Sequence, residues 1–302
     1  MIDVSIIIVN YNASALLVEA VRSVVDLTKG VSYELIVVDN HSSDLSLLLD
    51  AQQTYNLRLI RLDDNLGFAR ANNEGIREAR GRHLFFLNPD TRLLNDAVSV
   101  LSHFLDANPE VGACGGNLSN AQGAEQFSYW PLLPGARMEW NELWSNLWLR
   151  LRHRSSLKFN HTGRPKEVGY IIGADLMTRA EVIRQVGAFS DDFFLFYEET
   201  ELCYRIRRHG YKIISVPQAH ICHLESQTIG SMLERQTYMM PSRQTYLNKT
   251  TSRLEHRLAD AILTLNCLLR LLFFTLTANK QKQEFWRYRL RHVKVEKLKV
   301  ES

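Results

Sequence analysis

The sequence predicts an α/β fold with a doubly wound, mostly parallel sheet, followed by a helical C-terminal extension. Short apolar runs rich in β-branched residues recur in the first third of the chain, as in strands that are buried on both faces of a parallel sheet. Segments with apolar residues at helical spacing separate these runs. Strands that alternate with helices of this length indicate a doubly wound sheet.

The elements follow in order along the chain. Strands are predicted at residues 4–9, 35–38, 58–62 and 83–87. Helices are predicted at residues 16–25 and 69–80, and a third begins with Asn95 as its cap and ends near Asn108. Asn10, Asp39 and Asp90 come directly after strand-like runs. Because ligands bind at the carboxyl ends of strands in such sheets, we expect these three side chains to share one cleft.

The alternation lapses between residues 123 and 166 and resumes from residue 168 to 223. Trp140, Trp144 and Trp148 are four residues apart and lie on one face of a predicted helix, with Arg150 soon after them. Two interpretations are open. The stripe packs on the main domain, or the helix lies at a membrane interface, where Trp and Arg are favoured.

The last part of the chain predicts a helical, basic segment. Residues 261–277 are apolar except for Asn266 and Arg270, and they are too few for a comfortable membrane span. Residues 279–302 carry eight Lys or Arg against three Asp or Glu. We expect a helix that lies in an anionic membrane surface. Packing in the core or in a dimer interface is the alternative.

Composition and charge exclude few classes of protein. Hydrophobic residues make up 45% of the 302 residues, enough for a sizeable core, and the net charge of +3 favours no particular partner. The four cysteines include no Cys-x-x-Cys pair and no zinc spacing, so we expect reduced thiols in a cytosolic protein. The chain begins directly with a strand pattern, which predicts no signal peptide.

Three acidic sites follow apolar runs, where a solvated surface would not be expected. They are Asp39, Asp90 and the pair Glu198-Glu199. A helix cap would explain Asp39 or Asp90 alone. It does not explain all three together with the segment Asn-Leu-Gly-Phe-Ala-Arg-Ala-Asn-Asn at 65–73.

Together these segments resemble glycosyltransferase family 2, the inverting GT-A enzymes, and in particular its rhamnosyltransferase-like subgroup. The matching segments are Ser-Ile-Ile-Ile-Val-Asn-Tyr-Asn at 5–12, Val-Val-Asp-Asn-His-Ser-Ser-Asp at 37–44, Asn-Leu-Gly-Phe-Ala at 65–69, Leu-Asn-Pro-Asp-Thr at 87–91, Gly-Ala at 173–174 and Val-Gly-Ala-Phe at 186–189 before the acidic pair. The resemblance covers about residues 4–223. It implies a GT-A catalytic domain at 1–230, with a nucleotide-sugar half at 1–115 and an acceptor half at 116–230, and an extension at 231–302.

The resemblance also implies roles for individual residues. Those expected to contact the nucleotide are Asn10 and Tyr11 at its border, Asp39 at the base or ribose, and Asn65, Gly67 and Asn72 along the pocket. Asp90 corresponds to the last acid of the family's Asp-x-Asp motif, whose first acid is Asn88 here. Asp90, with His223, is expected to bind Mg²⁺ or Mn²⁺, which offsets the charge of the leaving diphosphate.

Glu199 corresponds to the general base that deprotonates the acceptor hydroxyl as its oxygen attacks the anomeric carbon. Glu198 is expected to orient the acceptor or Glu199, and the division of labour between the two carboxylates is open.

The implied function is transfer of one sugar, such as rhamnose, from a nucleotide-diphosphate sugar to a saccharide or lipid-linked saccharide. The expected setting is surface-polysaccharide synthesis on the inner face of the cytoplasmic membrane, with no nucleic-acid partner. The alternatives are transfer to a polyprenyl phosphate and a nucleotide-sugar-binding protein without activity. Processive synthases carry Gln-x-x-Arg-Trp and several spans, and this chain has neither.

Overall fold

The computed structural model describes residues 2–152, 158–224 and 231–293, without side chains for residues 145–152. These residues form two compact units. The first comprises residues 2–131, 158–194 and 198–224, and the second comprises residues 132–152, 195–197 and 231–293. The second unit therefore takes in a segment that the sequence placed in the acceptor half.

A mixed sheet forms the centre of the first unit. Its strands are β1 (Val4–Asn10), β2 (Tyr33–Asp39), β3 (Arg58–Arg61), β4 (His83–Leu87), β5 (Thr91–Leu93) and β6 (Val111–Ser119). After β7 (Tyr129–Trp130) come β8 (Lys166–Glu167), β9 (Tyr170–Ile171), β10 (Asp175–Arg179) and β11 (Lys212–His223). The order across the sheet is β3-β2-β1-β4-β10-β6-β11-β5, with β8 also on β11, while β7 and β9 pair separately. Strands β3, β2, β1 and β4 are parallel, and β10 is antiparallel to both of its neighbours.

The helices of the first unit lie between these strands. They are α1 (Ser14–Leu27), α2 (Ser46–Tyr55), α3 (Phe68–Glu78), α4 (Ala97–Ala107), α6 (Ala180–Val186) and α7 (Glu198–Arg208), and the helix α5 (Ala136–Arg152) belongs to the second unit. All seven residues of β1 are buried. At Gly75 of α3 an added Cβ would lie 2.5 Å from Ile7 Cγ2, so the helix packs directly on β1. The predicted α/β class and its mostly parallel sheet are confirmed.

One predicted cap is wrong. The helix α4 is capped by Asp96, whose carboxylate accepts a hydrogen bond from the backbone N–H of Ser99 at 3.2 Å. Asn95 instead donates to the carbonyl of Gln218 and accepts from the N–H of His220. Both residues suit a cap by type, and the sequence alone does not reveal the long-range partners that hold Asn95.

The second unit is helical. It adds α8 (Met232–Thr250), α9 (Arg253–Leu276) and α10 (Lys280–Arg291) to α5. Arg243 on α8 is 2% exposed. It donates to Asp260 on α9 at 2.8 Å and to Glu139 on α5 at 3.0 Å. This buried ion-paired centre ties three helices together.

The apolar helix is longer than predicted, because α9 begins at Arg253. By length and composition it is the one helix among residues 2–152, 158–224 and 231–293 that could cross a membrane. The Trp140 and Trp144 rings are 48% and 47% exposed and meet edge to face at 5.7 Å. These two tryptophans are therefore not part of a buried core. The third tryptophan of the stripe, Trp148, lies outside the side chains described.

Candidate active site

The carboxyl ends of three parallel strands meet at one edge of the sheet. β1 pairs with β2 from Val4 beside Tyr33 to Asn10 beside Asp39. It pairs with β4 on its other side, with Ile7 beside Phe86. The chain therefore leaves β2, β1 and β4 at the same edge, and the polar residues that follow these strands are neighbours.

Asn10 and Asp39 contact each other at this edge. The Asn10 amide donates to Asp39 Oδ1 at 2.8 Å and to Ser42 Oγ at 2.9 Å. The backbone N–H of Ser42 donates to Asp39 Oδ2 at 3.0 Å. Asn10 Oδ1 is buried and has no hydrogen-bond partner among the described residues. Tyr11 follows with 45% of its surface exposed.

Asn65 connects this edge to the next loop. Its Oδ1 accepts from the Asn40 amide at 2.7 Å and from the N–H of Gly67 at 3.0 Å. Gly67 has φ of +81° and ψ of 171°, a conformation open almost only to glycine. An added Cβ would also lie 2.5 Å from the Phe194 carbonyl oxygen. The backbone conformation and the close packing on Phe194 therefore explain why position 67 is glycine, whether or not a ligand binds there.

Two consecutive asparagines on α3 have different partners. Asn72 is 1% exposed and donates to the Phe68 carbonyl within its own helix. Asn73, which the sequence did not single out, donates to the Phe189 carbonyl at 2.9 Å and accepts from the Phe189 N–H at 3.0 Å. It also donates to Asp191 at 3.1 Å. Asn73 therefore fastens the segment that precedes the acidic pair.

Asp90 and His223 lie together. Asp90 Oδ1 is 3.4 Å from His223 Nε2, and the two residues are 4% and 8% exposed. β11 pairs with β5, which sets His223 beside Thr91, and the Leu224 N–H donates to the Asp90 carbonyl at 2.8 Å. His223 Nδ1 has no partner among the described residues. The sequence separates these two residues by more than a hundred positions, and the sheet brings them together.

Glu198 and Glu199 open α7 in a setting that disfavours their charge. Burial first, and the neighbouring Glu199 second, raise the pKa of Glu198 well above its ordinary value. Burial raises the pKa of Glu199 to about 7. One oxygen of each carboxyl group is without a partner in the described structure. The two residues before the pair, Phe196 and Tyr197, have φ values of 68° and 69°, which are unfavourable for non-glycine residues.

The acidic pair is linked to the Asp90 region through the two residues that precede β10. An added Cβ on Gly173 would be 3.6 Å from the Glu199 Cγ atom, so the side chain packs on this glycine. The carbonyl of the next residue, Ala174, accepts from the N–H of Asn88 at 3.0 Å. Asn88 lies two residues before Asp90. A short chain of contacts thus connects Glu199 to Asp90.

Glu201 and Arg205 are structural. Arg205 pairs with Glu201 at 2.9 Å and donates to the carbonyls of Val186, Gly187 and Ala188. The Val-Gly-Ala-Phe segment is therefore held by Arg205 on one side and by Asn73 on the other.

Asp90 and His223 are the residues with the chemistry to hold a divalent cation. No group of three or more His, Cys, Asp or Glu residues is arranged to hold a metal ion within the described part of the chain. A carboxylate and one imidazole nitrogen suit an ion that takes its other ligands from substrate phosphates and water, as Mg²⁺ usually does. The residues fit a cation that binds together with the donor.

A family model described as "Glycosyl transferase family 2" matches residues 5–184, more than half of the chain. The chain belongs to glycosyl transferase family 2. This confirms the family that the sequence analysis named. The matched segment includes Asn10, Asp39, Gly67, Asp90 and Gly173.

Curated relatives of this family 2 chain act in glycan synthesis according to their names. This chain is 26% identical over 228 residues to the low-salt glycan biosynthesis hexosyltransferase Agl10 of Haloferax volcanii. The match covers 70% of this chain and 64% of the relative. This chain is 24% identical over 209 residues to an N-acetylglucosaminyl-diphospho-decaprenol L-rhamnosyltransferase of Mycobacterium tuberculosis, covering 65% and 68%. The chain thus spans about two thirds of either relative.

Solved structures show the same fold. The mannosyltransferase PcManGT from Pyrobaculum calidifontis, solved in complex with GDP-Man and Mn²⁺, superposes with a TM-score of 0.62 at 16% identity over 97% of this chain and 88% of that chain. GalNAc-T7 with UDP, GalNAc and Mn²⁺ superposes with a TM-score of 0.60 at 14% identity over 98% and 55%. At these identities the likeness supports the GT-A fold.

Proposed function

We propose that this protein is an inverting glycosyltransferase that moves one sugar from a nucleotide-diphosphate sugar to an acceptor hydroxyl. The observation that carries the proposal is the Glu199 carboxyl group, which has a pKa of about 7, an unpartnered oxygen and a contact path to Asp90. A base of this pKa is matched to proton transfer near neutral pH. Family membership supports the reaction class.

The donor half of the proposal places the nucleotide at the edge formed by Asn10, Tyr11, Asp39, Asn65 and Gly67. The unpartnered Asn10 Oδ1 offers an acceptor to a nucleoside, and the exposed Tyr11 ring offers a surface for it. The side-chain amide of Asn72 donates to the Phe68 carbonyl within its own helix, and its carbonyl oxygen is the group that we propose for contact with the donor.

In this proposal, Asp90 and His223 would hold Mg²⁺ or Mn²⁺ beside the donor diphosphate. The bound cation would supply positive charge that offsets the charge of the leaving nucleoside diphosphate. The Asp90 oxygen and the His223 nitrogen are 3.4 Å apart and are buried in a setting that orients both.

We propose a saccharide or lipid-linked saccharide acceptor and a location on the inner face of the cytoplasmic membrane. One supporting observation is the named activity of the mycobacterial relative, a rhamnosyltransferase for a diphospho-decaprenol acceptor. The other is the apolar helix α9. Rhamnose is the sugar that we propose, because the mycobacterial relative and a dTDP-rhamnosyl transferase of Shigella flexneri are both named for it.

The test is donor hydrolysis and transfer by the purified full-length chain. A panel of nucleotide sugars, with and without Mn²⁺, is first screened by thermal shift, because a ligand that binds the native state stabilises it by mass action. NMR of the product then gives the anomeric configuration. We expect Mn²⁺-dependent binding of one donor and an inverted product. Binding without hydrolysis or transfer for every donor and acceptor identifies a binding protein, and a retained configuration contradicts the mechanism.

A further inference from the structure

One face of α9 presents a row of leucines to solvent. Six leucines fall within about 60° of each other around the helix at 3.6 residues per turn. Their exposed fractions lie between 43% and 78%. They are Leu254, Leu258, Leu265, Leu269, Leu272 and Leu276. At about 1.5 Å per residue this leucine face extends over roughly 33 Å. Soluble monomers rarely expose an apolar surface of this size without a partner.

The opposite face of α9 is packed and polar. Asp260 accepts from Arg243 at 2.8 Å and from Gln244 at 3.1 Å, and both donors belong to α8. Leu263 and Cys267 are fully buried in a cluster with residues of α8 and α10. A membrane-spanning α9 would expose Asp260 to lipid and leave the Arg243 charge without this partner, which is unfavourable. The helix is therefore built to keep one face in the protein.

Aromatic and basic side chains border the leucine face. Trp140 lines the same groove as Leu258 and Ile262, and the groove has a volume of about 370 Å³. Arg137 also lines it and is exposed, as are Arg253 and Arg257 near the start of α9. Tryptophan and arginine at the rim of an apolar surface are typical of a helix that lies among lipid headgroups. These three arginines outnumber the exposed Glu255 between them, so the rim is net basic. A second copy of the chain would present the same basic rim, whereas anionic lipids supply the opposite charge.

We infer that the leucine face of α9 binds the surface of an anionic bilayer, with the helix axis in the membrane plane and the opposite face still packed in the helical unit. This inference rests on the membrane location proposed above and specifies the surface and the orientation. The leucines enter the boundary between headgroups and acyl chains, and the arginines contact lipid phosphates.

Flotation of the full-length chain tests the surface. Vesicles of phosphatidylcholine mixed with phosphatidylglycerol are compared with vesicles of phosphatidylcholine alone. The test variant is Leu265→Glu with Leu269→Glu, whose leucines are 46% and 43% exposed. The matched control is Leu47→Glu with Leu49→Glu on α2, where both leucines are 44% exposed.

We expect the wild type and the α2 control to float with anionic vesicles and to bind phosphatidylcholine alone less well. The α9 variant should bind at least about tenfold more weakly, because two half-exposed leucines lose their apolar burial. Equal flotation of the α9 variant and the wild type would overturn the inference. So would a lipid-free dimer that the α9 substitutions dissociate in sedimentation, because the face would then be an interface between copies.

Thiol labelling distinguishes lying in the plane from spanning. All four native cysteines are buried and free. Asn248→Cys before α9 and Gln281→Cys after it introduce exposed thiols at either end. On vesicles, a maleimide that does not cross membranes should label both positions equally. Protection of one position alone indicates a span and overturns the orientation.

Activity separates this inference from the proposed function. Donor hydrolysis without vesicles should be the same in the α9 variant and in the wild type. If the wild type binds vesicles through the leucine face but hydrolyses no donor, the membrane inference stands and the proposed function is wrong.

Discussion

Replacing Glu199 by glutamine removes a carboxyl group whose ionisation the fold disfavours. Its pKa rises from an ordinary 4.5 to about 7 because of burial. A rise of that size means that the fold disfavours the ionised form, relative to the protonated form, by about 3 kcal/mol. Since the folded pKa lies above the unfolded value, the stabilisation is complete below pH 4.5 and is lost as the pH rises through about 7.

Glu199→Gln should therefore remove a pH dependence of stability as well as activity. Urea unfolding at a series of pH values measures the free energy of unfolding. Between pH 5 and 8, the free energy of unfolding of the wild type should fall by up to about 3 kcal/mol, and that of the variant should not show this fall. The exposed Glu181→Gln on α6 is the control and should follow the wild type. Parallel curves for Glu199→Gln and the wild type would refute the assigned pKa.

The same variant tests catalysis. Loss of a general base typically lowers turnover about 10²–10⁴-fold, with donor binding retained. The wild-type rate should rise with pH through about 7, because Glu199 must be ionised to accept a proton. The acid limb should be absent from the residual activity of the variant. An inactive Glu198→Gln beside an active Glu199→Gln places the base on the other residue.

Three further substitutions test the donor edge and the helical unit. Asp90→Ala should abolish transfer and remove the Mn²⁺ dependence of nucleotide affinity, and an affinity that neither the substitution nor EDTA changes would argue against a metal there. Gly67→Ala should destabilise the chain by about 1–3 kcal/mol in urea unfolding, because φ is +81° and the Phe194 carbonyl is in the way. Arg243→Met should destabilise it by about 3–5 kcal/mol, since Asp260 is left buried without its cation. A loss below about 1 kcal/mol would show that Asp260 finds another partner.

The strands that end in Asn10 and Asp39 were predictable, because the sequence pattern that marks each strand is local. An apolar run followed by a polar residue describes β1 with Asn10 and β2 with Asp39, and the parallel register places the two side chains 2.8 Å apart. The family resemblance supplied the roles that we propose for Asp90 and Glu199, which neither spacing nor composition shows. The 3.4 Å approach of His223 to Asp90 depends on how β11 pairs with β5, and no local pattern encodes that pairing.

Other features were hidden because their cause is tertiary. Asn73 and Arg205 look like ordinary helix residues in the sequence, yet each fixes backbone groups of the segment before the acidic pair. The packing of α5 with α9 also has no sequence signal, and it moves the tryptophan stripe from the acceptor half to the helical unit.

The burial of the two glutamates argues for a division of labour between them. Glu198 is 4% exposed and its pKa is raised well above its ordinary value by burial and by Glu199. Both effects favour the protonated form of Glu198, which is a poor acceptor for another proton. Glu199 is only partly buried, and with a pKa of about 7 a large fraction is ionised at that pH. In its protonated form, Glu198 also spares Glu199 the repulsion of a second charge. Ionisation of one carboxyl group therefore opposes that of the other, and the more accessible one is suited to take the acceptor proton.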